Sequence, residues 1–403
     1  MKILFLTDNF PPEVNAPATR TYEHCKEWVK KGADVTVITS APNFPQGVVY
    51  EGYKNKLIHR EEFDGIKVIR VWTYIVANKG FLKRTLDFIS FSISAFIVGL
   101  FIKTDIIIAT SPQFFTAISG RKLGFWRRKP WLMEVRDLWP ESIKNVNAIK
   151  DNFVIRLLEQ QEMKCYRKAK GIITVTDTFK KVIVDRGISK DKFEVIKNGA
   201  NLDLYQPKDK NEKLLNELKL KGKFILGYIG THGMAHKLDF ILNTAQKVAD
   251  PSIHFLFIGD GAEKESIVKL SQKLKLQNTT FLVPIKKHEV ADYISIIDVA
   301  LIPLKKSELF KTVIPSKIFE SAAMQKPILL GVDGESRLII EKYNAGLYFE
   351  PENETDFLEK LNEISQNTKL YDEYKKGCQK LVLDFDRKKL ADKMLLFIQK
   401  QIQ

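Results

Sequence analysis

The chain has 403 residues, 44% hydrophobic and 28% charged with 26 Phe, which excludes disorder and suits two domains better than one. Three Cys, at 25, 165 and 378, exclude a disulfide framework and offer no CxxC spacing for zinc or redox chemistry, so a reducing compartment is expected. A net charge of +15 suggests an anionic partner (nucleic acid, acidic lipid or a phosphorylated substrate) or else a solvated Lys-rich surface.

The apolar run Ile3-Leu4-Phe5-Leu6 is too short for a signal peptide, and Asp8 follows soon after it. Residues 2–7 therefore read as a buried first strand. A proline-rich loop, 9–18, leads into a helix that reaches Lys31 and stops at Gly32. The next strand is 34–39, which completes a βαβ unit. The same grammar predicts strands at 66–72, 106–109, 131–135, 172–175 and 193–196. A polar, Lys-rich stretch at 206–222 breaks the pattern. Strands then resume at 224–229, 254–258, 280–283, 299–303, 327–331 and 346–349. Two such series imply an α/β protein of two Rossmann-like domains, with a hinge near 199–206 and a cleft between them. Ligands of open parallel sheets bind at the carboxyl ends of strands. The final helix, about 386–401, is expected to pack back across the domain junction.

Residues 88–102, FISFSISAFIVGLFI, carry no charge. Fifteen residues fall short of the roughly 20 that span a bilayer. Lys79, Lys83 and Arg84 precede the segment and Lys103 follows it. Arg121, Lys122, Arg127, Arg128 and Lys129 cluster near Trp126 and Trp131. Over 79–131 nine basic residues stand against two acidic ones. A helix buried on both faces is one reading. The charge favours the other, contact with an anionic membrane. The same surface would also serve a homodimer.

No GxGxxG follows the first strand and no GxxxxGK[ST] occurs, which argues against a dehydrogenase or a P-loop NTPase. Gly259-Asp260-Gly261 is only a fragment of such a loop. No GxSxG occurs. His232 and His236 are four apart but lack a third ligand, so no metal site is expected. What remains is polar residues at strand ends. In the first half these are Asp8, Glu13, Asn15, Arg20, Ser111, Glu134, Arg136, Asp137 and Glu141. Charges directly after a buried strand are costly unless paired or functional, and an Arg–Asp loop clamp is the structural alternative. In the second half they are Gly230-Thr231-His232-Gly233, Lys237, and the run from Pro315 through Lys317 to Glu320. A Lys at a helix start is disfavoured by the macrodipole unless an anion sits there. Lys317 and Glu320 share a helix face, as a local ion pair or as a phosphate-binding Lys beside a ribose-binding Glu.

These residues resemble the signature of bacterial family 4 glycosyltransferases of the WbuB type, builders of O-antigens and capsules. The resemblance rests on DNFPPE (8–13), SAPNFPQG (40–47), Ser111-Pro112, EVRDLWPES (134–142) and PSKIFE (315–320), in order over nearly the whole chain. It implies a GT-B fold, with residues 1–203 as the acceptor-side domain and 79–131 as its membrane-facing part. Residues 204–385 would bind a nucleotide-sugar, and 386–403 would be the returning helix. It also implies a retaining, metal-independent transfer from a UDP-sugar, often N-acetyl-L-fucosamine, to an undecaprenyl-diphosphate-linked sugar. The enzyme would be cytoplasmic, peripheral on the inner face of the membrane. Lys237 matches the lysine that holds the donor diphosphate, and Glu320 the second glutamate of E-x7-E, which grips the ribose. Thr231 and His232 would line the donor site. The backbone of Val313 and Ile314 would lie near the phosphates, and Ile285 near the base. Arg136 and Asp137 fall in the region of the family's active-site histidine, with Asp137 orienting the acceptor or an oxocarbenium-like charge. Glu13, Asn15, Arg20 and Glu141 would face the acceptor.

Three departures stand out. The first glutamate of E-x7-E falls at Thr312, the arginine partner of the phosphate lysine at Thr231, and the first-domain glycine pair at Val14-Asn15-Ala16. Lys317 is expected to supply the missing positive charge. Two other classes remain open on sequence: a GT-B UDP-sugar 2-epimerase, and a nucleic-acid-binding protein, which lacks any recognisable domain signature.

Overall fold

The computed structural model describes residues 1–44, 46–76, 81–111, 113–139 and 153–402. Glu141, Lys79, Pro45, Pro112 and the end of the EVRDLWPES run lie outside them. The chain divides into two units, Met1–Lys197 with Arg387–Gln403, and Asn198–Asp386.

Among the described residues the first unit is built on eight strands: β1 (Lys2–Leu6), β2 (Asp34–Ser40), β3 (Ile58–Phe63), β4 (Ile66–Val71), β5 (Ile106–Thr110), β6 (Trp131–Val135), β7 (Gly171–Thr174) and β8 (Phe193–Val195). Their order is β3-β4-β2-β1-β5-β6-β7-β8. All neighbours pair in parallel except β3 with β4. Alternate residues feed two cores. Leu4, Leu6, Ile107 and Met133 face the helices Phe81–Gly99 and Phe114–Arg127. Ile3, Phe5, Ile106 and Leu132 face Trp28 and the helix Arg387–Lys400. That helix lies along Ala16–Lys30, where the Trp28 Nε1–H donates to the Ala391 carbonyl at 2.8 Å and Lys31 pairs with Asp392 at 2.5 Å.

Strand β3 was not expected. Its sequence, IHREEF, is polar and edge-like, and hydropathy gives it no core face. The signal is the turn Asp64-Gly65, both at positive φ, joining two strands two residues apart.

The apolar segment is one long helix, Phe81–Gly99, followed by a turn. It is buried on one face rather than both. Phe91 and Ala95 are in the core, and the Ser92 and Ser119 hydroxyls are 2.7 Å apart. Leu86, Ile93 and Ile97 are exposed on the other side. Among the described residues no helix is long and apolar enough to cross a membrane.

The second unit has six parallel strands, β9 (Phe224–Ile229), β10 (Ile253–Ile258), β11 (Thr279–Leu282), β12 (Val299–Pro303), β13 (Ile328–Gly331) and β14 (Gly346–Tyr348). Their order is β11-β10-β9-β12-β13-β14. The order reverses direction between β9 and β12, as it does between β1 and β5 in the first unit. Such switch points open a crevice at the carboxyl ends of the strands. The loops that leave β9 and β1 are therefore where each unit's site is to be sought.

Candidate active site

In the second unit the loop after β9 is built backbone against backbone on the loop after β10. Gly230 N–H donates to the Ile258 carbonyl at 2.8 Å, and His232 N–H to the Asp260 carbonyl at 2.8 Å. Glu263 N–H donates back to the His232 carbonyl at 2.9 Å. Gly259 has φ +142°, and a Cβ there would stand 1.9 Å from the Gly230 oxygen. Only glycine tolerates both the conformation and the approach. The Gly259-Asp260-Gly261 fragment thus belongs to the same site as Gly230-Thr231-His232-Gly233.

Lys317 is the first residue of the helix Lys317–Ala323. Its amine sits 3.7 Å from the ring centroid of Tyr228, the penultimate residue of β9. Burial pushes the Lys317 amine down to about 7, and nearby Glu320 partly offsets this. Lys237 closes the other end of the β9 loop in a left-handed conformation, φ +48°. Its amine lies 3.2 Å from Asp239 and 3.8 Å from Glu352. The hydrogen bond to Asp239 raises its pKa, with Glu352 adding to the effect. The positive charge is therefore held by two carboxylates, which relieve the unfavourable helix-start position.

His232 is fully buried, with neither ring nitrogen hydrogen-bonded among the described residues. Burial, with Lys264 and Lys317 nearby, lowers it to about 4, and burial with Lys317 lowers His236 to about 3. Both rings stand edge or tilt to Tyr228, at 5.6 and 5.7 Å. Among the described residues no group of three His, Cys, Asp or Glu could hold a metal ion. Thr231 is exposed, and its carbonyl accepts from the Tyr228 hydroxyl at 2.5 Å. Ile285 is half-buried at the edge of the core. Val313 and Ile314 follow the short turn Leu309–Thr312. Val313 has both backbone groups committed, N–H to the Phe310 carbonyl at 3.2 Å and C=O to the Ser336 hydroxyl at 2.7 Å, and the Ile314 side chain is in the core.

In the first unit three expected acceptor residues prove to have internal partners. The Glu13 carboxylate is buried and accepts from the N–H groups of Asn43 and Phe44 at 2.8 and 2.9 Å, tying the DNFPPE loop to SAPNFPQG. Asn15 caps the Ala16–Lys30 helix by accepting from Ala18 N–H at 2.8 Å. Arg20 is buried, paired with Glu134 and donating to the carbonyls of Ile196 and Lys197. Their types look catalytic in sequence because a buried clamp and a binding site use the same residues. Arg136 N–H donates to the Ser111 hydroxyl at 2.7 Å, and burial lowers its guanidinium to about 10. Asp137 follows it, half-buried on the same loop.

The sequence reading missed Asp87. It lies on the Phe81–Gly99 helix close enough to raise the pKa of Asp8, which burial already raises well above normal. Asp87 is itself pushed up to about 6 by burial, with Arg84 opposing. Its helix is so apolar that one carboxylate gave no periodic signal. Tyr228 was missed likewise, being read as one more core residue of a strand.

Two family descriptions match in succession. Glycosyltransferase Family 4 matches residues 17–204, and Glycosyl transferases group 1 matches residues 209–381. TuaH of Bacillus subtilis, named for teichuronic acid biosynthesis, is 26% identical over 56% of this chain and 56% of its own. WcaI of Escherichia coli, named for colanic acid biosynthesis, is 24% identical over 85% of this chain and 84% of its own. The chain thus spans little more than half of the first of these relatives. Among solved structures, sucrose-phosphate synthase from Thermosynechococcus elongatus superposes with TM-score 0.81 at 16% identity, covering 99% and 98% of the two chains. HepE of Anabaena, solved with UDP and glucose, gives 0.74 at 16% over 99% and 100%. WaaG, described as a glycosyltransferase involved in lipopolysaccharide biosynthesis, gives 0.68 at 14% over 97% and 98%. These likenesses establish the GT-B fold.

Proposed function

Because the chain belongs to the glycosyltransferases, a family 4 domain followed by a group 1 domain in a GT-B fold, we propose that it transfers a sugar from a nucleoside-diphosphate donor to a lipid-linked sugar in cell-surface polysaccharide synthesis. The observation that carries the reading is the β9 loop, with the Lys317 amine against Gly230 at one end and Lys237, its amine held by Asp239 and Glu352, at the other. Breaking the anomeric C–O bond leaves negative charge on the departing diphosphate. Two amines held beside it stabilise that transition state without a metal. The acceptor hydroxyl forms the new C–O bond on the same face, and its proton passes to the departing phosphate. Glu320 would take the ribose hydroxyls. UDP is the nucleotide favoured by the resemblance and by HepE's ligand, and N-acetyl-L-fucosamine the sugar favoured by the resemblance. The acceptor in this reading is undecaprenyl-diphosphate-linked.

A lipid-linked acceptor gives the first unit's apolar tips a use. Arg127 donates to the carbonyls of Leu100 and Ile102 at 2.7 and 3.1 Å, holding two helix ends together. Phe101, Phe125 and Trp126 project there, 81%, 79% and 68% exposed. Lys103, Lys122 and Arg128 are exposed around them. Apolar tips ringed by cations match an anionic bilayer surface, at roughly 1 kcal/mol per basic residue.

The test is calorimetric binding of UDP and GDP without metal, to the parent and to Glu320→Ala. UDP binding weakened by about 1–3 kcal/mol in the variant supports the donor site. GDP preference keeps the fold and changes the donor. Binding of neither by folded protein removes the reading's support.

A further inference from the structure

We infer that Tyr228 is a positioning residue of the donor site, its buried ring holding the Lys317 amine against the β9 loop where a nucleoside diphosphate would lie. The inference rests on the donor reading above. Tyr228 is fully buried, so packing alone would accept phenylalanine. Two features exceed packing. Its hydroxyl reaches the Thr231 carbonyl at 2.5 Å and so pins the loop that follows its own strand. Its ring face takes the Lys317 amine at 3.7 Å from the centroid.

The fit extends to Gly230. A Cβ there would meet Lys317 Cε at 2.5 Å and Nζ at 2.7 Å, so the lysine's end occupies the space of the missing side chain. A lysine stem has four rotatable carbons and ordinarily no fixed end. A carboxylate could fix it but would also neutralise it. An aromatic face attracts the ammonium through its quadrupole and leaves its N–H donors for another ligand. Tyr228 therefore sets both the loop and the cation that an anion would meet.

The groups facing Lys317 are Glu320 on its own helix and Tyr228, His232 and His236 from β9 and its loop, with Lys264 and Asp260 beyond His232. Both histidines titrate far below neutrality, which leaves Lys317, at about 7, to act between pH 6 and 9. The protonated amine binds an anion better, so affinity falls as pH rises through that range.

The experiment is UDP binding by calorimetry from pH 6 to 9 for the parent, Tyr228→Phe, Tyr228→Leu, Lys317→Met and the Leu–Met double variant. The difference from Lys317→Met cancels the ionisation of UDP itself. Tyr228→Phe should weaken binding by about two- to tenfold, because the loop loses the hydroxyl bond to Thr231, and should keep the parent's inflection, because the ring remains. Tyr228→Leu should lose about tenfold or more and move the inflection upward, as the freed amine regains water. In the Lys317→Met background the leucine should cost no more than Tyr228→Phe costs the parent. A folded Tyr228→Leu with the parent's affinity and inflection overturns the inference, as does a leucine penalty undiminished in the double variant. Should Tyr228→Leu not fold, the parent's NMR spectrum decides: Lys317 ε-methylene protons shifted upfield by the ring support the inference, and unshifted ones overturn it. Failure of the parent to bind UDP overturns the donor reading itself.

Discussion

Arg20 and Glu134 form an ion pair at 3.0 Å, with side chains 3% and 2% exposed. Arg20 comes from the first helix and Glu134 from β6, and the guanidinium also takes the carbonyls of Ile196 and Lys197. Both are thereby part of the scaffold. Arg136 sits close enough to lower the Glu134 pKa further. Removing one partner leaves the other charge buried and costs about 3–5 kcal/mol. Arg20→Met should therefore lower the melting temperature sharply. Any protein that stays folded should keep its KM for the acceptor. A raised KM with unchanged stability would restore Arg20 to the acceptor site.

The buried face of the apolar helix and the exposed tips near its end make opposite predictions. Phe101→Ser with Phe125→Ser and Trp126→Ser should leave thermal stability nearly unchanged and abolish flotation with anionic vesicles. Phe91→Ser removes a fully buried ring and should cost about 3–5 kcal/mol. Retained flotation of the triple variant, or loss of a dimer in its place, would move the docking surface elsewhere.

Gly259 tests the paired loops. Gly259→Ala forces a Cβ onto the Gly230 oxygen, so the β9 loop must shift. The expected result is at least tenfold weaker UDP binding with the first unit's stability unaltered. Native-like affinity would mean that the donor does not use this loop.

Asp87 yields a pH dependence. Its folded pKa, about 6, is above the unfolded value of about 4. The folded state thus keeps its proton longer, and stability falls as pH rises from about 4 to about 6. Asp87→Asn removes that loss. Its melting temperature should exceed the parent's at pH 7.5 and match it near pH 4. A destabilised variant at pH 7.5 would show that Arg84 outweighs burial.

Much was legible in the sequence alone. Two βα series, the strands that carry them and the stop at Gly32 follow from local pattern, because parallel strands need apolar runs and crossovers. Local pattern does not say what a polar side chain will meet. Glu13, Asn15 and Arg20 satisfy backbone groups and charges brought from up to 177 residues away. The Lys317 amine meets the Tyr228 ring, and Asp87 adds to the rise of Asp8, only because the fold brings together residues remote in the chain. Burial and charge act through space, so the strand order, which folds those distances away, decided which polar residues hold the fold.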